Sequence, residues 1–245
     1  HDAAVVSQRH DWYDGKGALP DDVAQKMMDH FGIGWWRFTM NLYGHEGVVK
    51  AKEQIVRKAM EPHLGKPIEF VEWHRGDPIE TSGAGRPSAV ALQIVNWRGG
   101  RGGHMGFSPV MPPDGQLAHK QFRAMKTRFV EHGLDYYTSF TMGHRHINNV
   151  NLLLYNRDDE DMVTRARKLF NVLIADAKAS GYGEYRTHLD FMDPVAASFD
   201  FNGGVLHRLN ETVKNALDPN GVIAPGKNGI WPRAYRAAPG KGESA

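Results

Sequence analysis

The sequence predicts an α+β fold. Three observations support it. Over the first three-quarters of the chain, strand-like and helix-like stretches alternate. The strand candidates have hairpin-like lengths and spacings, which favours a mainly antiparallel sheet flanked by helices over a doubly wound parallel sheet. After Gly181 the texture changes to short polar clusters and a Pro/Gly-rich stretch.

Taken in order, residues 11–20 are turn-rich, with Gly15, Gly17 and Pro20. A helix should follow from Pro20, because proline suits a first helical turn, Asp21 and Asp22 favour its positive end, and Gly32 stops it. Trp35 to Leu42 mixes aromatic and polar positions and reads as a strand. Glu46 to Met60 has helical spacing and ends at Pro62, Gly65 and Pro67. Ile68 to Trp73 is a second strand candidate. Loops are expected at Gly76 to Pro87 and at Gly99 to Gly103, with a short strand near Phe107 to Val110 broken by Pro109.

A helix from about Gly115 to His132 stops at Gly133, and Tyr136 to Thr141 and Val150 to Asn156 read as strands. The charged break Arg157 to Asp161 opens a helix that ends near Gly181, and Val205 to Leu217 is a further helix candidate. Residues 237–245 are small and polar and should fray. Trp35, Trp36, Phe38, Tyr136 and Tyr137 are expected in the core, with an aromatic-lined pocket as the other reading.

With 245 residues, 41% hydrophobic and 24% charged, the chain is an ordinary globular one with a sizeable core. A net charge of +2 gives no field suited to nucleic acid, and no apolar run approaches a membrane span. Without cysteine there is no disulfide or thiolate chemistry, which suits a cytoplasmic protein. The chain opens on His1, with residues that read as the middle of an element already under way.

Four stretches draw attention. His104 follows GGRGG, where glycines let a backbone approach a flat ligand; the ordinary reading is a surface histidine. Tyr185-Arg186-Thr187-His188 joins a phenol to a guanidinium, which suits a delocalised anion as well as a salt-bridged strand. His144-Arg145-His146 has no third ligand nearby and reads as a polar strand end, not a metal site. DPNGVIAPGKNGIWP, residues 218–232, fits either an ordered surface loop or a loop packed on a cofactor.

Together and in order, GGHMGFSPV, HGLDYYTSFTMG, GYGEYRTHLDFMD and LNETVKNALDPNGVIAPGKNGIWP resemble the vanillyl-alcohol oxidase and 4-cresol hydroxylase family of flavoproteins. Among members the chain looks nearest to vanillyl-alcohol and eugenol oxidases. The resemblance implies a cap domain over residues 1–182, incomplete at its N-terminus. It also implies that residues 183–245 return to the FAD-binding domain, whose N-terminal part is absent.

It implies FAD as cofactor, bonded covalently through His104; the hydroxylase branch uses a tyrosine there. Tyr185 and Arg186 match the pair that binds the substrate phenol oxygen, with Arg186 also facing the flavin. Gly226 and Lys227 belong to the cofactor-packing loop, and Ser139 and Thr141 to a pocket-lining strand. The oxidase pattern has histidine at the position of Asn148. The implied activity is oxidation of 4-hydroxybenzylic alcohols or 4-alkylphenols by hydride transfer to flavin N5 through a quinone methide, with oxygen as acceptor and a homo-oligomeric state. The alternatives are a dehydrogenase or hydroxylase that passes electrons to a cytochrome, and a catalytically inert cap fragment.

Overall fold

The computed structural model describes residues 9–65, 67–72, 74–77 and 90–236. Contacts divide the chain into two compact units, residues 28–90 and the remainder. In the first unit, helix α3 (Glu46–Leu64) ends on Gly65, whose φ of 66° supplies the left-handed cap. Arg57 holds Glu53 and Glu61 one turn to either side and donates to the Ile68 carbonyl, so it ties the chain after the helix back to it. No residue of α3 is buried.

Two expectations fail in this unit. Residues 35–42 and the described part of 68–73 form no strand. Trp35, Trp36 and Phe38 are about half exposed, not core. Alternating aromatics define a strand only where a partner supplies the ladder, and none pairs with these segments among the described residues. The loop expected at residues 76–87 lies mostly outside the described residues, as do residues 1–6 and 237–245.

The second unit is built on an antiparallel sheet. Its strands are β1 (Gly102–Phe107), β2 (Pro109–Met111), β3 (Tyr137–Met142), β4 (Ile147–Asn156) and β5 (Gly183–Glu184). β4 pairs with β1, β2 and β3, and β5 adds to β2. The β1 pairing, Phe107 opposite Asn151, and the β2 pairing, Val110 opposite Asn148, keep one unbroken register. β1 and β2 therefore form one line along β4, interrupted only at Ser108, just before Pro109, which has no N–H to give.

Period-two alternation divides the sheet into two faces. Met105, Phe107, Met111, Ile147, Asn149, Asn151 and Leu153 are buried on one. Helices α4 (Gly115–Glu131) and α5 (Glu160–Ala179) pack there, with Met125, Phe129, Leu169, Phe170 and Leu173 filling the core. Both begin at aspartate caps: Asp114 accepts from the amides of Gln116 and Leu117, and Asp159 from Met162. Each cap contributes about 1 kcal/mol. Beneath the β3–β4 hairpin, fully buried Asn149 and Asn151 bond to each other and to Thr138, and Asn151 also donates to the Phe107 carbonyl. Each amide is hydrogen-bonded through both its oxygen and its nitrogen, which makes two buried amides tolerable in an apolar layer.

Asp135 knots distant parts of this unit. Its carboxylate accepts from Arg9 Nε at 2.7 Å, Trp97 Nε1 at 2.7 Å, an Arg98 guanidinium nitrogen at 2.9 Å and the Leu19 amide at 2.6 Å. The helices on the N-terminal side are α1 (Arg9–Trp12) and α2 (Asp21–Phe31).

After β5, a 3-10 turn at Leu189–Phe191 leads into α6 (Met192–Ser198). α7 (Phe201–Leu217) follows, with left-handed backbone at residues 202–204, so regular helix begins at Val205. α8 (Arg233–Arg236) comes last.

Candidate active site

The sheet face opposite α4 and α5 carries most of the residues singled out from sequence. His104 is opposite Leu154, so it shares that face with Leu152, Val150 and Asn148 of β4. Tyr137, Ser139 and Thr141 join them through their pairings with Leu152, Val150 and Asn148. The glycine-flanked histidine stands on strand β1, not at the end of a loop. Gly102 and Gly103 enter the strand because the neighbouring chain is too close for a side chain. A Cβ at Gly102 would lie 2.0 Å from the Val95 carbonyl oxygen, and one at Gly103 2.8 Å from the Tyr155 ring.

Gly106, two residues beyond His104 on the same face, has the opposite character. A Cβ there would meet nothing within 4 Å. The face is open on the Gly106 side of the imidazole, while Leu154, opposite His104, is covered by Ile94 and Trp97. His104 itself is exposed, yet its pKa is lowered, first by partial burial and then by the positive charges of His188 and Arg157. It is therefore neutral at neutral pH, with a free nitrogen electron pair.

β5 delivers the second group. Gly183 pairs with Val110, and immediately beyond the strand Tyr185 and Arg186 turn out to solvent, both exposed. The guanidinium carbon lies over the Tyr185 ring, 5.6 Å from its centre, so a fixed positive charge and a phenol group occupy the same patch of surface. Ser139 and Thr141 are exposed on β3. Asn148, opposite Thr141, has a buried Oδ1 without a hydrogen-bond partner.

The C-terminal loop is less direct. Gly226 (φ 80°) opens a 3-10 turn at Lys227–Gly229. The turn docks on α6: the Asn228 amide meets Met192 Sδ at 3.2 Å, and Trp231 Nε1 donates to Asp193 at 2.8 Å. A cavity of about 320 Å³ is lined by Glu184, Tyr185, Thr187, His207, Asn210 and Asn228 together with apolar residues of α6 and α7. Gly226 and Lys227 do not line it; the loop reaches it through Asn228 and Ile230. A groove of about 520 Å³ between α4 and α5 contains none of these residues, and its Arg128–Asp176 pair at 2.7 Å is a helix-to-helix tie.

Sequence reasoning missed Glu184. It is 5% exposed. Burial pushes its carboxyl pKa up to about 7, against the opposing pull of the Ser108 and Arg186 amides and the Arg186 charge. Oε2 accepts from the Ser108 amide, and Oε1 is buried without a hydrogen bond of normal geometry.

Residues 38–228 match the family described as FAD linked oxidases, C-terminal domain. The chain is 34% identical over 219 residues to the 4-cresol dehydrogenase [hydroxylating] flavoprotein subunit of Pseudomonas putida, covering 87% of this chain and 41% of that protein. Among solved structures it is similar to a 4-ethylphenol oxidase from Gulosibacter chungangensis in an isoeugenol complex, with TM-score 0.83 and 32% identity over 96% of this chain and 46% of the other. It is also similar to p-cresol methylhydroxylase with substrate bound, with TM-score 0.81 and 32% identity over 94% and 44% of the two chains. The chain thus spans less than half the length of each of these relatives.

Proposed function

This chain belongs to the FAD-linked oxidase C-terminal domain family, in its vanillyl-alcohol oxidase and 4-cresol hydroxylase group, and on that premise we propose that it carries the substrate side of a flavoenzyme that oxidises para-substituted phenols. The observation that carries this reading is one sheet presenting a neutral His104 beside bare Gly106, with Tyr185 and Arg186 at its edge strand. Residues 1–182 form the cap and residues 183–245 belong with the FAD-binding domain. Phe201, Leu206, Leu209 and Leu217 of α7 are all more than half exposed, which supports a further protein layer over that segment.

His104 would hold the cofactor covalently, since bonding to a flavin methyl group needs an unprotonated imidazole nitrogen. When bound, FAD supplies a two-electron acceptor, so that hydride loss from the benzylic carbon of a phenolate leaves a para-quinone methide. Tyr185 hydrogen-bonds the phenolate oxygen and Arg186 neutralises its charge, which favours the anion that expels hydride. Ser139, Thr141 and Asn148 give the otherwise apolar sheet face a polar strip that selects among ring substituents.

Oxygen is the acceptor in this reading, supported by His104 at the attachment position. A cytochrome-coupled dehydrogenase is the second reading, favoured by the 34% identity to a 4-cresol dehydrogenase subunit. Among the described residues no helix is long and apolar enough to cross a membrane.

The test uses the full-length protein. After acid precipitation, flavin absorbance should stay with the polypeptide, on the peptide containing His104, and should wash away from His104→Ala. Flavin on another residue, or none retained in wild type, removes the covalent assignment. Peroxide released with 4-hydroxybenzyl alcohol supports the oxidase; reduction of a cytochrome without peroxide supports the alternative. Arg186→Ala should lower kcat/KM by about 10²–10³-fold. Near-normal turnover would remove Arg186 from the site.

A further inference from the structure

Glu184 lies directly behind the Tyr185–Arg186 pair, on the last strand of the sheet. Its position is fixed: the backbone pairs with Pro109, and Oε2 accepts from the Ser108 amide. Oε1 is buried and meets no hydrogen-bond partner, and the residue lines the 320 Å³ cavity it shares with Tyr185, Thr187, Asn210 and Asn228. An ionised carboxylate leaves no buried oxygen unpaired without a large penalty. A carboxylic acid with its proton on Oε1 removes the charge and turns that oxygen into a donor directed at polar neighbours or water. Oε1 is the favoured site for the proton, because Oε2 already accepts from the Ser108 N–H and a carbonyl-type oxygen is the better acceptor.

The surrounding charges are few. Arg186 and Tyr185 follow on the same segment. β2 contributes no ionisable side chain. The buried face of α5 is apolar, from Ala166 to Ala177. On α6, Asp193 is engaged by Trp231, and on α7, His207 lines the cavity and pairs with Glu211. Arg186 is therefore the cation that acts on Glu184, and the same cation faces the phenol oxygen in the reading above.

We propose that Glu184 is a protonation-dependent positioning residue: neutral, it leaves the Arg186 charge to an anionic oxygen beside Tyr185; ionised, it competes for that charge and loosens the anion. The inference rests on the phenol reading of the site, and it adds a control that neither Tyr185 nor Arg186 supplies. Glu184 touches neither substrate nor cofactor in this scheme. It acts through Arg186, so its effect belongs in binding and KM before kcat.

The experiment uses the full-length flavin-containing protein and unsubstituted phenol, which has no benzylic carbon to oxidise. Binding is followed by flavin absorbance between pH 5.5 and 8.5, roughly spanning the range in which a raised carboxyl titrates. In wild type the affinity should fall about tenfold across a single step near neutrality. In Glu184→Gln, which keeps shape and a donor but cannot ionise, it should stay level. KM for an oxidised phenol should follow the same pattern, with kcat nearly unchanged.

A step that persists in Glu184→Gln overturns the proposal, as does phenol binding in wild type with no step. Infrared carbonyl spectra of the wild type need no folded variant. A protonated-carboxyl band that titrates near neutrality is expected, and a Glu184 side chain ionised throughout overturns the proposal. Failure of wild type to bind phenol at any pH overturns the phenol reading of the site and this proposal with it; the other negative outcomes leave that reading standing.

Discussion

Phe170 of α5 lies flat on Phe191, with ring centroids 4.0 Å apart and planes 16° from parallel. Phe107 of β1 meets the other side of this pair edge-on, at 5.4 Å from Phe170. The stack joins the core to the turn that follows Tyr185–His188. Aromatic packing below the polar segment therefore helps hold it in place, together with the Tyr185 amide on the Ser108 carbonyl and the Phe191 amide on the His188 carbonyl.

Replacing Phe170 by Ala removes a fully buried ring and its stack. The expected loss is about 3–5 kcal/mol in a urea titration. Leu at the same position should lose markedly less, because it refills most of the volume. If Ala and Leu are equally costly, the loss comes from the aromatic contacts and not from the cavity.

Glu184 makes stability pH-dependent in a direction unusual for a carboxylate. Its folded pKa, about 7, lies above the ordinary 4.5, so between those values the native state holds a proton that the unfolded chain has released. Its contribution is complete below about pH 4.5 and is lost as pH rises through about 7. A shift of this size corresponds to roughly 3 kcal/mol. Denaturation midpoints at a series of pH values should show wild type losing stability relative to Glu184→Gln over that window. Parallel curves would mean the buried carboxyl is not protonated.

Gly226 adopts φ 80°, and a Cβ there would sit 2.4 Å from the Trp231 ring. Gly226→Ala forces both a left-handed alanine and a displaced tryptophan, whose indole anchors the loop to Asp193. The substitution should cost about 1–3 kcal/mol and increase proteolysis between α7 and α8. Trypsin cleavage after Lys227 at the wild-type rate would show that the ring relaxes without strain.

The helices were legible where they carry their own punctuation. Asp114 and Gly133 bracket α4, and Asp159 and Gly181 bracket α5, each through a local hydrogen bond or a left-handed turn. β1 was not legible as a strand because GGHMGF has the composition of a loop. Its first glycines answer to Val95 and Tyr155, distant contacts that only the folded chain reveals. Residues 35–42 failed in reverse: the pattern was present and the partner strand was not.

Among site residues, His104, Ser139 and Thr141 share a face because strand parity carries sequence spacing into space. Tyr185 and Arg186 stood out by chemical type. Glu184 did not, since an acid between Gly183 and Tyr185 gives no sign that both flanking layers will bury it. The Asn149–Asn151 network was hidden for the same reason.

The Asp135 knot joins residues far apart along the chain: Arg9 and Asp135 are separated by 126 positions, while Arg98 and Trp97 stand 37 and 38 away. Contacts that close such long loops cost the most chain entropy and form after the local helices and hairpin. The knot is thus a late clasp on the folding route. Its loss in Asp135→Ala should fall on the unfolding limb of a chevron plot, with the folding limb nearly unmoved. The carboxylate governs how long the folded molecule lasts more than how quickly it is reached.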